Sequence, residues 1–407
     1  MEGESVLRRV SATRYLIFVF VFAVATNLIH PVTPMLLQRI GCPDYMFGVA
    51  FAMMSFTNFL TCPFWGRMGD RYGYIRIHTV GILGYALGQY IFSTATGTAM
   101  VVVGRAVSGC FASANMVCGM AYLARSTQDG KRRTRYMAIY AALNTAGAAG
   151  GYLTGGLIGD FSIPLVFILQ VASCVFLGLA LYALIGEVQT ALDKSPLSFG
   201  EINPIASILS SAKMITVPMA TFLLASFLAN FATWGHDNAF NYYLRAQLDF
   251  PPSGNGIFKS VVGIIGLVAN FTLNMWISAR TDMRKSIVVL FGLCSASLVL
   301  MVTLPGIPAF LITAVAFYTV NAIYMPIQQS LIVRNDDGSA TGALSGIFVA
   351  SRSLGMVLGP LFSGFAYSVS AELPFIAAAA AFFLAAATSW INQKQYSRLE
   401  AARDTAP

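Results

Sequence analysis

The sequence predicts an all-α integral membrane protein with twelve transmembrane helices in two pseudo-symmetric six-helix bundles. Three observations carry that prediction: a scarcity of charge, a succession of long apolar runs, and landmarks that recur 206 to 212 residues apart.

Only 10% of the 407 residues are Asp, Glu, Lys or Arg, whereas 57% are hydrophobic. Soluble domains carry about 25% charged residues. So few charges do not cover a water-facing surface of this size, but lipid accepts apolar side chains on the outside of a bundle. The net charge of +8 is not a nucleic-acid signature, because the basic residues sit in short clusters between apolar runs. Such clusters fix orientation by the excess of Lys and Arg on the cytoplasmic side. The six cysteines form no C-x-x-C pair, and five lie inside apolar runs. They suit small hydrophobes rather than a metal site or a disulfide framework.

A span needs about 20 mostly apolar residues. Such runs lie near 14–37, 46–65, 77–96, 98–123, 136–158 and 162–185, then near 215–243, 256–278, 286–304, 308–332, 342–369 and 373–391. Arg8 and Arg9 before the first run, and Ala23-Val24-Ala25 within it, have the outline of a signal peptide. The apolar stretch continues past that point, so it reads as a retained first span. The polar stretch 186–213, with Asp193, Lys194, Pro196 and Pro204, reads as a cytoplasmic linker. It separates a bundle at 1–185 from a second at 214–407 with a short cytoplasmic tail.

With the N-terminus in the cytoplasm, twenty of the 25 Lys and Arg fall on the cytoplasmic side. Arg39, Arg245 and Lys259 fall on the other, and Arg105 and Arg352 lie inside spans. This asymmetry predicts an even number of spans and both termini cytoplasmic, in a cell (inner) membrane. Lys259 is expected at a solvated interface, and Lys131-Arg-Arg-Thr-Arg135 at anionic headgroups.

The halves resemble each other. Asn27-Leu-Ile-His30 matches Thr233-Trp-Gly-His236, Asp70 matches Asp282, and Gly151 matches Gly359. Internal duplication builds many transporters as two bundles around one central site.

Between the second and third spans stands Gly66-Arg-Met-Gly-Asp70-Arg71-Tyr-Gly73-Tyr-Ile-Arg76. Its glycines would permit a tight cytoplasmic turn, and Asp70 would cap a helix start or pair with a basic residue of the other bundle. The segment resembles the loop signature of the major facilitator superfamily, G-x-x-x-D-R-x-G-R-[RK], with Tyr74 in place of a basic residue. The resemblance covers the chain. It implies the major facilitator fold and a secondary transporter driven by an ion or substrate gradient, with Gly66, Asp70, Arg71, Gly73 and Arg76 as a gating loop.

Arg105-Ala-Val-Ser-Gly109 in the fourth span looks like the family's R-x-x-x-G element, whose arginine is implicated there in proton coupling. Arg105 lies about 9 Å below the outer surface, near the depth of His30, so the two are expected to meet in one cavity; snorkelling to the headgroups is the alternative. Gly147-Ala-Ala-Gly150-Gly151-Tyr-Leu-Thr-Gly155-Gly156 in the fifth span looks like the element of the drug:proton antiporter branch, with Tyr152 in place of its Pro. Gly355, Gly359 and Pro360 form the second-half copy. Plain small-residue helix packing is the other reading of both.

Arg352 is placed near the midplane, where a charge marks a substrate or ion pathway. His236 and Asp237 are candidate proton carriers beside an outer cavity. Asn27, Asn115, Asn144, Trp234, Asn241, Tyr318, Asn321 and Tyr324 are candidate cavity residues, and Pro31, Pro34 and Pro326 can bend their helices. No acid stands in the middle of the first span; Asn27 occupies that neighbourhood.

The expected function is proton-coupled efflux of amphipathic organic compounds. The alternatives are an uptake carrier for a small organic anion and a membrane receptor that does not transport. There is no Walker A sequence, H-E-x-x-H or nucleophile elbow, so neither an enzyme nor a cofactor is expected. The expected partners are a small-molecule substrate, a proton and membrane lipid, without nucleic acid, and the chain is expected to act as a monomer.

Overall fold

A computed structural model describes residues 2–187, 203, 215–334 and 341–404. Almost all of the expected linker lies outside these residues. All regular structure among the described residues is helical: α1 (Glu2–Asn27), α2 (Thr33–Ile40), α3 (Met46–Tyr72), α4 (Tyr74–Ser93), α5 (Thr98–Arg125), α6 (Gly130–Phe161) and α7 (Ile163–Leu184), then α8 (Val217–Ala246), α9 (Pro252–Ala269), a π turn (Asn270–Asn274), α10 (Met275–Arg280), α11 (Met283–Thr303), α12 (Ile307–Arg334), α13 (Thr341–Val369) and α14 (Leu373–Asp404).

Nine helical stretches among the described residues are long and apolar enough to cross a membrane, α9 to α10 counting as one. The apolar part of α1 is shorter, Ala12–Asn27. α4 carries His78 and Gln89, and α6 opens on the basic run at 131–135, which lowers the hydropathy of both.

The first span is not the single helix expected over 14–37. α1 stops at Asn27 and the chain turns through residues 28–32 before α2. Pro31 is the cause: it has no N–H to offer the Asn27 carbonyl, and its ring crowds that oxygen. The carbonyl accepts instead from His30 N at 3.4 Å.

The chain divides into two compact units. The first comprises Met1–Met46, Met53–Ala206 and Leu244–Ile264; the second comprises Phe47–Ala52, Ser207–Tyr243 and Ile265–Pro407. Within the first, glycines of α6 lie directly on the backbone of α1. A methyl group at Gly147 would fall 2.7 Å from the Phe20 carbonyl oxygen, and one at Gly151 2.5 Å from that of Val24. At Gly155 it would overlap the Leu28 carbonyl oxygen. Gly156, on another face of α6, meets Gly256 and the Pro252 carbonyl of α9. Within the second unit, α13 meets α8 in the same manner. A methyl at Gly355 would fall 2.7 Å from Phe227 O and Phe231 N, and one at Gly359 would overlap Phe231 O. Pro360 lies inside α13.

A Gly155→Val variant is therefore expected to lose monodispersity in detergent, since overpacking costs about 1–3 kcal/mol and here the obstacle is backbone. Gly150→Ala, whose methyl would meet only Val24 Cγ2 at 3.5 Å, should behave as the unaltered protein. Size-exclusion profiles and thermal unfolding of both variants check this.

Candidate functional site

Gly66 and Asp70 do not lie in a loop. α3 continues through both to Tyr72, and the turn is the single residue Gly73, after which α4 begins. Gly73 has φ +99°, and a methyl group there would fall 2.5 Å from Oε2 of Glu187. Both facts require glycine. Glu187, just beyond α7, closes the start of α4. Its Oε1 accepts from Tyr74 N at 2.9 Å, and its Oε2 from Ile75 N at 2.9 Å and Arg76 N at 3.4 Å. A carboxylate at a helix N-terminus satisfies orphan N–H groups and meets the positive end of the dipole.

Asp70 therefore caps no helix start, and its basic partner is not from the other half. It accepts from Arg125 Nη2 of α5 at 3.0 Å and from the Tyr74 hydroxyl. The Arg125 guanidinium lies 5.0 Å over the Tyr74 ring. Burial, then the hydrogen bond to Asp70, pushes the Tyr74 phenol well above its ordinary pKa. The tyrosine that departs from the loop signature thus serves as a hydroxyl donor to Asp70. Arg71 lies 5.6 Å over the ring of Tyr72, and Arg76 is exposed. In the second half, Asp282 does cap a helix, accepting from Arg284 N at 2.9 Å.

A cavity of about 290 Å³ opens inside the first unit along one face of α1. Tyr15, Phe18, Phe22, Thr26 and Asn27 line it from α1, and His30 from the turn that follows. α4 adds His78 and Tyr85, α5 adds Asn115, and α6 adds Tyr140 and Asn144. The sequence-predicted residues Asn27, His30, Asn115 and Asn144 are thus brought together. Among the described residues, the lining holds no Asp, Glu, Lys or Arg. His30 stacks on Tyr152 with centroids 5.2 Å apart.

Arg105 does not line this cavity and does not share it with His30. Its guanidinium lies 3.8 Å from the centre of the Phe92 ring, with Nη1 3.9 Å from the Met54 sulfur. The cause is helix packing: a methyl at Gly104 would fall 2.6 Å from Phe92 N, so α5 is drawn against α4 at this level. His78 is a site residue that the sequence reading passed over. It is 2% exposed, with Nδ1 3.4 Å from the Tyr15 hydroxyl and the rings of Phe18 and Phe22 set at near right angles to its own. An imidazole within a span was the available signal.

In the second unit, Arg352 Nε lies 3.4 Å from Asn230 Oδ1, and its guanidinium lies 5.5 Å over Phe348. The Thr233 hydroxyl donates to Asn321 Oδ1 at 2.8 Å and pairs with the Tyr324 hydroxyl at 2.7 Å. Tyr324 is fully buried against Phe291 and Phe382, a place in the core. Tyr318 donates to Asp237 Oδ1 at 2.9 Å. His236 does not face an outer cavity; it is fully buried among the rings of Phe240, Phe317, Tyr318 and Phe375. Trp234 stacks on Phe51 at 5.4 Å, and Asn241 is half-buried. Lys259, expected to be solvated, is 7% exposed on an inward face of α9.

Repeated long apolar helices, closely packed through glycine and holding a polar-aromatic cavity, define a multi-pass membrane protein of the transporter class. A sequence profile of the Major Facilitator Superfamily matches residues 15–360, and the chain belongs to that superfamily. It is a transporter, not an enzyme. It is 23% identical over 360 residues to tetracycline resistance protein, class H, of Pasteurella multocida, covering 86% of each chain. It is 27% identical over 356 residues to the class C protein of Escherichia coli, covering 86% of this chain and 88% of that one. Multidrug resistance protein 2 of Bacillus subtilis is 23% identical over 368 residues, 88% of this chain and 89% of its own. Among solved structures, a bacterial homolog of the human lysosomal transporter Spinster superposes with a TM-score of 0.75 at 12% identity, covering 95% and 97% of the two chains. The human organic anion transporter MFSD10 (TETRAN) superposes with a TM-score of 0.67 at 17% identity, covering 94% and 99%. These two show the fold.

Glu187→Ala is expected to destabilise the start of α4 by about 1 kcal/mol, the usual cost of losing a helix cap. Gly73→Ala should cost more, because the same cap is displaced and the backbone is strained as well. Thermal midpoints of the two variants in detergent, ranked against the unaltered protein, check the order.

Proposed function

We propose that the chain is a secondary active transporter that exports amphipathic organic compounds in exchange for protons. In this reading twelve helices cross the cell (inner) membrane as two six-helix bundles, 1–185 and 214–407, joined by the linker 186–213. Both termini face the cytoplasm, the monomer is the working unit, and access alternates by rocking one bundle against the other. The observation that carries the reading is the cavity of the first unit. It is walled by aromatic rings and amides, a surface suited to amphipathic ligands. Relatives over nearly the whole chain bear the names of tetracycline and multidrug resistance proteins, which supports efflux. His30 on the cavity wall and Asp237 bonded to Tyr318 are the candidate proton carriers. Gly66 to Arg76, with Glu187 and Arg125, serves as the rigid cytoplasmic corner that moves with the first bundle.

One observation favours a second reading, uptake of an organic anion. Among the described residues no carboxylate lies within ion-pair distance of Arg352, so its charge is available to a ligand.

Everted membrane vesicles with an acid interior test the first reading. Tetracycline or a hydrophobic dye is expected to dissipate the pH gradient only in vesicles that contain the protein, and Asp237→Asn should reduce the effect to the control level. If no compound in a broad panel moves protons, antiport is excluded. Uptake of a labelled carboxylate that Arg352→Ala abolishes would establish the second reading instead.

A further inference from the structure

The cavity of the first unit has a polarity that can be read from two asparagines. Asn27 Nδ2 donates to the Ala23 carbonyl at 2.8 Å, and Asn144 Nδ2 donates to the Tyr140 carbonyl at 3.0 Å. Each amide is thus bound to the previous turn of its own helix, α1 for one and α6 for the other. The orientation is decided by chemistry, because a reversed amide would set oxygen against carbonyl oxygen. Each side chain therefore keeps its carbonyl oxygen as an acceptor for a ligand donor, beside the second N–H of the same amide. A carbonyl oxygen accepts two hydrogen bonds, so each has room for a ligand donor.

The separation of the two acceptors follows from the packing of α6 on α1. A methyl group at Gly151 would lie 2.8 Å from Asn27 Cβ, so Asn27 stands at the level of residue 151. Asn144 precedes that level by seven residues on the same face, two turns or about 10 Å along the axis. The rings of Phe18 and Phe22, stacked at 5.7 Å, belong to the same lining. Among the described residues, no cationic side chain is present in the lining to receive an anion, and no carboxylate to receive a formal positive charge.

We propose that this cavity binds flat aromatic compounds that carry N–H or O–H donors about 10 Å apart, one donor to Asn27 Oδ1 and the other to Asn144 Oδ1. It selects for the donors, not for ionic charge. The proposal rests on the reading of the cavity as a substrate site and narrows it to ligands that carry such donors.

Equilibrium binding to the full chain in nanodiscs, with no gradient, tests it. Proflavine has a flat three-ring system with an amine at each end; acridine orange has the same ring system and charge, but its amines are dimethylated and donate nothing. The uncharged pair 2,7-diaminofluorene and fluorene makes the same comparison without a cation, and the donor-free member is the smaller. Proflavine is expected to bind at least about tenfold more tightly than acridine orange, and diaminofluorene than fluorene, a loss of the size of one or two hydrogen bonds. Asn27→Leu and Asn144→Leu should each shrink both preferences. The ligand comparison on the unaltered protein needs no variant to fold.

Failure of proflavine to bind, equal affinity within both pairs, or preferences unchanged in both variants would overturn the proposal. Binding of proflavine without any binding of diaminofluorene would overturn it too, because charge would then be the feature recognised. Because no gradient is applied, the donor preference can hold while vesicle flux fails, or flux can hold while the preference fails; the two ideas fall separately.

Discussion

The structure depends on the approach of backbone to backbone at the glycines of α6 and α13. Between helices in lipid there is little gain from burying apolar surface, since the tails are as apolar as leucine. What remains is van der Waals packing, and it is strongest where no side chain stands between the helices. Gly147, Gly151 and Gly155 bring α6 onto α1, and Gly355 and Gly359 bring α13 onto α8. The cavity of the first unit follows from the first of these contacts. It fixes the level of Asn27 against Asn144, and the rings of Phe18 and Phe22 on α1 belong to the same lining.

The corner at Gly73 shows how a membrane protein stabilises a tight turn with few charges. Gly73 reverses the chain between two long helices with one residue, which leaves the first N–H groups of α4 without partners in the helix. Glu187 arrives from the far end of the first half and accepts from three of them. Asp70, Tyr74 and Arg125 close the other side of the corner. The turn, the end of α5 and the end of α7 are thus one polar knot, and the segment that resembles a gating loop is helical on both sides of Gly73.

Much of the fold was legible in the sequence because hydropathy reports burial in lipid directly. Most helix limits lie close to those of the apolar runs, but α1 starts well before its run, α3 and α14 continue past theirs to Tyr72 and Asp404, and Pro31 breaks the first. The repeat was less legible. Of the three matched landmarks, Gly151 and Gly359 hold equivalent places, each against the helix that opens its own half. Asp70 and Asp282 do not, since one lies inside α3 and the other caps α11. His30 and His236 do not either: one lines a cavity, and the other is enclosed by rings inside α8. A glycine's role is steric and local, so its position in the sequence carries it. A charged or imidazole side chain takes its role from partners distant in the chain, such as Glu187 for the start of α4 or Tyr15 for His78, and spacing along one helix does not encode them.

The two buried arginines extend this point. Each guanidinium has an aromatic ring beneath it and a methionine sulfur at 3.9 Å, Phe92 and Met54 for Arg105, Phe348 and Met325 for Arg352. Rings and sulfur are weak and polarisable partners, worth far less than a carboxylate in an apolar medium. Yet the two charges are not alike in what surrounds them. Arg105 is 6% exposed, enclosed with the Phe92 ring and the Met54 sulfur. Arg352 is only half-buried and has an amide oxygen at 3.4 Å that a stronger acceptor would displace. A charge that is costly to keep within a span persists where something repays it. Ring and sulfur enclose Arg105, whereas Arg352 keeps an exchangeable oxygen partner, which is the ground for the anion reading proposed above.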